Sequence, residues 1–456
     1  MTAAEATPEM DLPAHDRAFL GHPKGLGYLS FVEGCERFSY YSMQTLLVLY
    51  MVNYLLVPEK IAQVIGLGWL QQNWYGGLAG QPLSSAIFGD YTALVYLTPI
   101  LGGIVADRWL GRRATLILGA VIMALGHFLM AFENSFILAL LALVVGVGLF
   151  KGNIASQVGE LYRPDDLRRA MAFQIFYIAI NVSVIAAPLI SGTLGERVGW
   201  HWGFGAAGVV MVAGLVLYLL ATPWLPEDNR PARGAAREKT RLAPEDTPRL
   251  LALLLLVPAL AVSLMTNQEI FNAYLVWADE HFQLTFFGQT LPTSWMITLD
   301  AALSFSMLVA VAWFWKWRGE KTGREPDELG KMIIGSLFSI AGGLCLVVAA
   351  ATQGDDKIGL FWPVLFHLLN SIGFSHILPV SLALFTKVAP RAITATVVGI
   401  YYLAFFAANK IVGVVGGWYS TMDTVQFWLL HVASAAVGLL AFVVFKAVLG
   451  KRLTAA

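Results

Sequence analysis

The sequence predicts an all-α membrane protein, with twelve transmembrane helices arranged as two six-helix bundles. Three observations lead there. The 456-residue chain is 57% hydrophobic and 13% charged, too few polar residues to cover a soluble globule. Its apolar residues fall in continuous runs of about 20, the length that crosses a bilayer as a helix, whereas barrel strands alternate apolar and polar residues. Its basic residues gather on alternate connections, as the positive-inside rule requires of a chain that threads back and forth.

Taken in order, the first 26 residues carry Asp11, Asp16 and three prolines with no apolar core, and read as a cytoplasmic tail without a cleavable signal peptide. Spans 1 to 6 are expected at 27–56, 85–107, 114–132, 136–161, 169–194 and 203–222. Spans 7 to 12 are expected at 250–279, 290–315, 331–352, 359–387, 393–418 and 424–447. Of the 30 Lys and Arg, 24 lie in the termini or around connections 2–3, 4–5, 6–7, 8–9 and 10–11, and Lys60, Arg197 and Lys357 occupy the opposite side. Both termini are therefore placed in the cytoplasm.

Pro223 to Pro248, rich in Pro, Ala and charges of both signs, divides the spans six and six. The expected organisation is a bundle over 27–222, a linker over 223–248, a second bundle over 249–448 and a tail over 449–456. Two such bundles suit a transporter with internal pseudo-symmetry. Between spans 1 and 2, "GLGWLQQNWYGGLAG" with Trp69, Trp74 and Tyr75 reads as a segment at the membrane interface.

Seven fixed-charge side chains lie deep within spans: Glu33, Glu36 and Arg37 in span 1, Lys151 in span 4, Glu269 in span 7, Asp300 in span 8 and Lys410 in span 11. Each costs about 2.5–3.5 kcal/mol at a bilayer centre, so they are expected to share a polar interior. Four acids face three bases, which suggests one carboxylate without a permanent partner, where a proton could bind and leave. Glu33, Glu36, Arg37, Tyr40, Tyr41 and Gln44 occupy one face of the span-1 helix and could line a cavity. A structural ion-pair cluster is the competing reading. Buried pairs add little net stability while perturbing carboxylates, which favours a proton relay.

His127, His367, His376 and His431 are scattered without metal spacing, so packing or inter-helix hydrogen bonding is the expectation for them. His376 is singled out because it adjoins Ser375 and Pro379 in span 10. Cys35 and Cys345 both sit in apolar runs, where neither a disulfide nor a metal site is expected. No nucleophile or metal cluster supports a membrane enzyme.

"GGIVADRWLGRR" at 102–113 is similar to the cytoplasmic loop signature of the major facilitator superfamily. In that family its glycines permit close helix approach and its Asp–Arg pair, here Asp107 and Arg108, helps hold the closed cytoplasmic gate. "EGCERFSYY" at 33–41 resembles the ExxERFxYY pattern of the proton-coupled oligopeptide transporter family. "LFKGNIASQVGELY", "FQIFYIAINVSVIAAPLISG", "NQE" at 267–269 and "LPVSLALFTKVAP" extend the likeness over most of the membrane portion.

The resemblance implies a bacterial inner-membrane symporter that imports di- and tripeptides with protons by alternating access. It needs no cofactor beyond the proton, works as a monomer in the lipid bilayer and binds no nucleic acid. Glu33, Glu36, Arg37, Lys151 and Glu269 would couple to the proton. Tyr40, Tyr41, Gln44, Tyr96, Lys151, Asn181, Asp300 and Trp277 would line the peptide site, Lys151 meeting the peptide carboxylate and Asn181 its backbone.

Two positions depart from the family. Gln44 stands where an arginine usually meets the peptide carboxylate and the span-7 glutamate, and Phe374 where a span-10 glutamate usually receives the peptide amino group. Asp300, often asparagine in relatives, is expected to take over the amino-group contact, and Lys410 to pair with Glu269 or Asp300. These changes keep open a family member that carries nitrate or an organic anion instead. The polar Pro223–Pro248 connection is too short for the two extra helices many bacterial members insert.

Overall fold

A computed structural model describes residues 14–454, apart from 164–165, 227, 229–245, 355 and 391–392. Most of the 223–248 linker and the last residues of the C-terminal tail lie outside the described residues. Among the described residues, eleven helices are long and apolar enough to cross a membrane. Span 1, Lys24–Tyr50, makes the twelfth; Glu33, Glu36, Arg37 and Gln44 dilute its apolar character, yet all four are buried.

In the first bundle the remaining spans are Gly80–Val105, Arg112–Leu129, Phe136–Glu160, Arg168–Ala187 and Trp200–Ala221. In the second, span 7 runs over Asp246–Glu269, breaks at 270–272 and resumes as Ala273–His281. Spans 8 to 12 follow as Trp295–Thr322, Glu328–Thr352, Phe361–Val388, Thr394–Gly416 and Thr424–Thr454. Span 10 continues through Pro379 without a break. A two-residue hairpin not foreseen from sequence pairs Thr285–Phe286 with Gln289–Thr290 in the outer 7–8 connection, turning at Phe287 and Gly288, both at positive φ.

Within the first bundle, span 1 packs on spans 5 and 6, and span 4 on spans 2 and 3; span 10 packs on spans 8 and 9, and span 12 on spans 7 and 9, in the second. The bundles meet where span 2 crosses span 11, span 5 meets span 8, and span 1 touches the outer piece of span 7. Small residues permit the tightest of these approaches. A Cβ on Gly89 would sit 2.4 Å from Gly413 Cα of span 11, and one on Gly102 would sit 2.0 Å from the Gly148 carbonyl oxygen of span 4.

The outer ends of the bundles are joined. Glu196 accepts from the backbone N–H of Thr293 and Ser294 at 2.6 and 2.9 Å, satisfying donors at the start of span 8. Arg197 donates to the Thr290 carbonyl at 2.5 Å, Trp295 Nε1 to Thr193 Oγ1 at 2.9 Å, and Gln81 to the Gly416 carbonyl at 2.9 Å. Ser85 Oγ donates to Asn272 Oδ1 at 2.9 Å, and Asn272 Nδ2 to the Val412 carbonyl at 3.1 Å.

At the inner ends, the ion pairs described stay within one bundle: Arg112 with Glu160, Lys387 with Glu328 at 3.0 Å, and Lys446 with Asp327 at 2.6 Å. The N-terminal segment is fastened there by Arg168, which binds Asp16 and Asp166 at 2.8 Å each. The hydrogen bond from Arg168 holds the Asp166 carboxyl below its usual range. Among the described residues, polar contacts thus join the bundles at their outer ends.

Candidate functional site

Between the bundles lies a cavity of about 510 Å³. Span 1 contributes Tyr41 and Gln44, span 2 Tyr96, span 5 Tyr177 and Asn181, span 7 Asn267, Gln268 and the adjoining Phe271, and span 8 Asp300 and Ser304. Span 10 adds Phe374, Ser375 and Pro379, and span 11 Tyr401, Tyr402 and Phe405. Asp300 supplies the fixed-charge type on this wall, set among aromatics and amides. Gln44 and Phe374, the two departures from the family pattern, both face the cavity. At mid-depth Tyr96 stacks on Phe405 at 4.8 Å and on Tyr402 at 6.3 Å, so aromatic contact closes the span 2–span 11 seam.

The span-1 cluster lies behind this wall. One helical face brings Glu33 and Arg37 together at i,i+4, with Nε 3.3 Å from Oε1. Arg37 also grips Glu36 with both forks, Nε to Oε2 at 2.5 Å and Nη2 to Oε1 at 2.7 Å. The second oxygen of Glu33 is buried without a hydrogen-bond partner, as is the Tyr40 hydroxyl. An orphaned carboxylate oxygen in a dry setting is a place where a proton gains stability.

Lys151, grouped with this cluster in the expected proton coupling, makes no ion pair within 4.0 Å among the described residues. Its Nζ instead lies 4.9 Å from the Tyr96 ring centre, 5.8 Å from Tyr40 and 6.0 Å from Tyr402. It lies behind Tyr96 and is not among the residues that line the cavity, so the expected contact with a peptide carboxylate is not preformed here; Arg37 already occupies both span-1 carboxylates.

The count of four acids against three bases therefore resolves otherwise than expected. Lys151 is the charge left over, and two of the carboxylates are met by histidines. Asp300 Oδ1 lies 2.9 Å from His367 Nδ1, whose Nε2 is 2.8 Å from the Tyr274 hydroxyl. Glu269 Oε2 lies 3.3 Å from His431 Nε2, both side chains fully buried. Lys410 pairs with Asp90 of span 2, not with Glu269 or Asp300. Trp74 Nε1 and the Tyr75 hydroxyl also donate to Asp90, at 2.9 and 3.3 Å. The outer aromatic segment thus reaches into this inter-bundle pair.

Two further expectations are corrected. Trp277 is absent from the cavity wall; its ring is fully buried among Tyr274, Phe282 and Trp428 at 5.1–6.5 Å, because the break at 270–272 turns the outer piece of span 7 into the second bundle's core. Tyr40 lies beneath the cavity rather than on it, edge-on to Tyr41 at 5.1 Å. His376 makes the inter-helix hydrogen bond expected of it: its Nδ1–H donates to the Ile372 carbonyl at 2.8 Å while Nε2 accepts from Trp315 Nε1 of span 8 at 3.0 Å.

Asn181 is on the wall, with its Nδ2 donating to the Tyr177 carbonyl at 2.8 Å. Asp107 and Arg108 occupy an exposed turn, Ala106–Leu110, at the inner end of span 2.

Sequence reasoning did not single out Asp90, while His367 and His431 make the inter-helix hydrogen bonds expected of them.

Known proteins match this architecture. The Major Facilitator Superfamily model covers residues 38–413. The chain is 28% identical to the peptide transporter YePEPT of Yersinia enterocolitica over 88% of this chain and 89% of that one. It is 27% identical to a di-/tripeptide transporter of Lactococcus lactis, over 95% and 97%. A crystal structure of a peptide transporter POT in complex with sulfate superposes with a TM-score of 0.82 at 26% identity, covering 96% of this chain and 97% of that one. The chain belongs to the Major Facilitator Superfamily and, within it, to the POT family of transporters.

Proposed function

We propose that the protein imports di- and tripeptides together with protons by alternating access. The observation that carries this reading is Asp300 on the cavity wall in the second bundle, with Lys151 behind Tyr96 in the first. A short peptide is a zwitterion, with an ammonium suited to Asp300 and a carboxylate suited to Lys151. Asn181 and the tyrosines offer contacts to a backbone that every dipeptide shares, which leaves side-chain choice broad. The solved POT relative binds an anion, sulfate, and the named relatives in Yersinia and Lactococcus are peptide transporters.

In this scheme the outward-closed form is one end of the cycle. Proton arrival at Glu33 neutralises one of the two carboxylates held by Arg37, loosening the Arg37 grip and letting the guanidinium and Lys151 shift toward the remaining charges. The bundles then rock about the span 2–span 11 and span 5–span 8 contacts. The membrane potential contributes about 2.3 kcal/mol per charge per 100 mV. Placement in the inner membrane, cytoplasmic termini and action as a monomer belong to the same reading.

The test is counterflow in liposomes loaded with unlabelled dialanine. Labelled dialanine should exchange without a gradient and accumulate when the outside is made acidic. Accumulation of nitrate, with no dipeptide exchange, would replace this reading by its rival.

A further inference from the structure

We infer that the cavity selects for a single positive charge: its preferred ligands carry an ammonium on an apolar or aromatic body and need no carboxylate, so that dipeptides with a blocked carboxyl group are taken at least as readily as free ones. The inference narrows the substrate class of the transport site proposed above and rests on that site being this cavity.

The charges on the wall carry it. Among the described residues that line the cavity, Asp300 is the one of fixed-charge type, and none is Lys, Arg or His. Asp300 Oδ1 is taken by His367 at 2.9 Å, and among the described residues Oδ2 has no hydrogen-bond partner, which leaves it for a ligand. The Tyr274 hydroxyl, 2.8 Å from His367 Nε2, can donate there and leave Nδ1–H to donate to Asp300, an arrangement that suits an ionised carboxylate. Gln44 and Phe374 face the same space and add no charge.

The ionisable groups behind the wall do not offset Asp300. On span 1, Arg37 pairs with Glu33 and Glu36, and Lys151, behind Tyr96, brings that set of four to neutrality. Lys410 is committed to Asp90. A monocation that enters the cavity therefore completes a pair with Asp300. A carboxylate brought in with it finds no cation on the wall, and a buried charge without a partner is expensive.

The rest of the lining suits the body of such a ligand. Ile180 and Val184 of span 5, Ile297 of span 8, and Leu378 and Leu382 of span 10 present apolar surface. The tyrosine and phenylalanine rings among them offer faces that attract an ammonium. A volume of about 510 Å³ admits a molecule of dipeptide size.

The experiment measures binding to the purified protein by isothermal titration, with dialanine and alanyl-alaninamide as probes, which differ only at the carboxyl group. Wild type should bind the amide at least as tightly as dialanine. Gln44→Arg, which puts a cation on the wall, should reverse the order and favour dialanine by at least about tenfold. Tighter binding of dialanine than of the amide by wild type overturns the inference, as does failure of the amide to bind or an unchanged order in folded Gln44→Arg.

The symport reading stands or falls separately. Dialanine exchange that fails in liposomes while the amide binds the purified protein would sink peptide symport and leave this inference standing. Dialanine exchange that succeeds while dialanine is the tighter ligand would do the opposite.

Discussion

At the scale of single residues, Asp300 is the sharpest test of substrate chemistry. Its carboxylate faces the cavity and is oriented by His367, whose ring is in turn held by Tyr274. Asp300→Asn keeps the shape and removes the charge that an ammonium needs. A charge-assisted hydrogen bond is worth about 1.5–3 kcal/mol, so uptake of free-amino dipeptides should fall roughly ten- to hundredfold. N-acetylated dipeptides, measured by competition, should lose much less. Equal losses for both would remove Asp300 from amino-group recognition.

Glu33 is tested differently, because its orphaned oxygen points to proton capture rather than to substrate. Glu33→Gln should preserve exchange and abolish pH-driven accumulation. Retained accumulation would move the coupling to another carboxylate. Much of this was legible in the sequence: the i,i+4 spacing of Glu33 and Arg37 dictates their contact. What sequence could not supply was the partner choice of Lys410, Asp300 and Glu269. Those partners come from spans far apart in the chain, and Asp90, His367 and His431 each looked ordinary in their own helices.

At the scale of helices, the span 2–span 11 crossing is the hinge of the closed outer face. Gly89 and Gly413 touch there, backbone to backbone. Gly89→Val should separate the two helices on the outer side, since the new side chain meets main-chain atoms that cannot rotate away. Spin labels on the outer ends of these spans should report a longer distance in the variant. An unchanged distance would show that the crossing is not the pivot. Close packing of this kind leaves a trace in sequence only as glycines, and 43 glycines are too many to choose among without the partner helix.

Lys410 belongs to the same seam. Lys410→Ala removes the span 11 half of an ion pair that Trp74 and Tyr75 also clasp from outside. Its side chain and that of Asp90 are partly exposed, so the pair contributes modestly. The expected result is uptake that continues at a reduced rate, with the outer side opening more readily to a water-soluble thiol reagent at an engineered Ser85→Cys. Protection equal to that of the parent would assign Lys410 no part in the gate.

At the scale of the whole molecule, the two ends differ in the contacts given for the described residues. Outer contacts join bundle to bundle through Glu196, Arg197, Gln81, Ser85 and Trp295, whereas the inner ion pairs described stay inside one bundle. The twelve-span frame and its six-and-six division followed from charge placement and hydropathy alone, because those patterns are dictated by the bilayer. Which end is closed does not, since it turns on contacts between spans far apart in the chain, such as Glu196 with the head of span 8.

Those contacts can be loosened together. Glu196 holds two N–H groups at the head of span 8, so Glu196→Ala removes both acceptors at once and strips the outer end of its firmest polar bond. In a Cys35→Ser, Cys345→Ser background, a cysteine at Asn181 on the cavity wall should react with a membrane-impermeant thiol reagent added to the cytoplasmic face and be protected from the outer face. Adding Glu196→Ala should raise outer-face labelling several-fold and lower labelling from the inside, because the two openings exclude each other in a rocking pair of bundles. Labelling that rises from outside without falling from inside would mean that the bundles part rather than rock, and alternating access would fail for this chain.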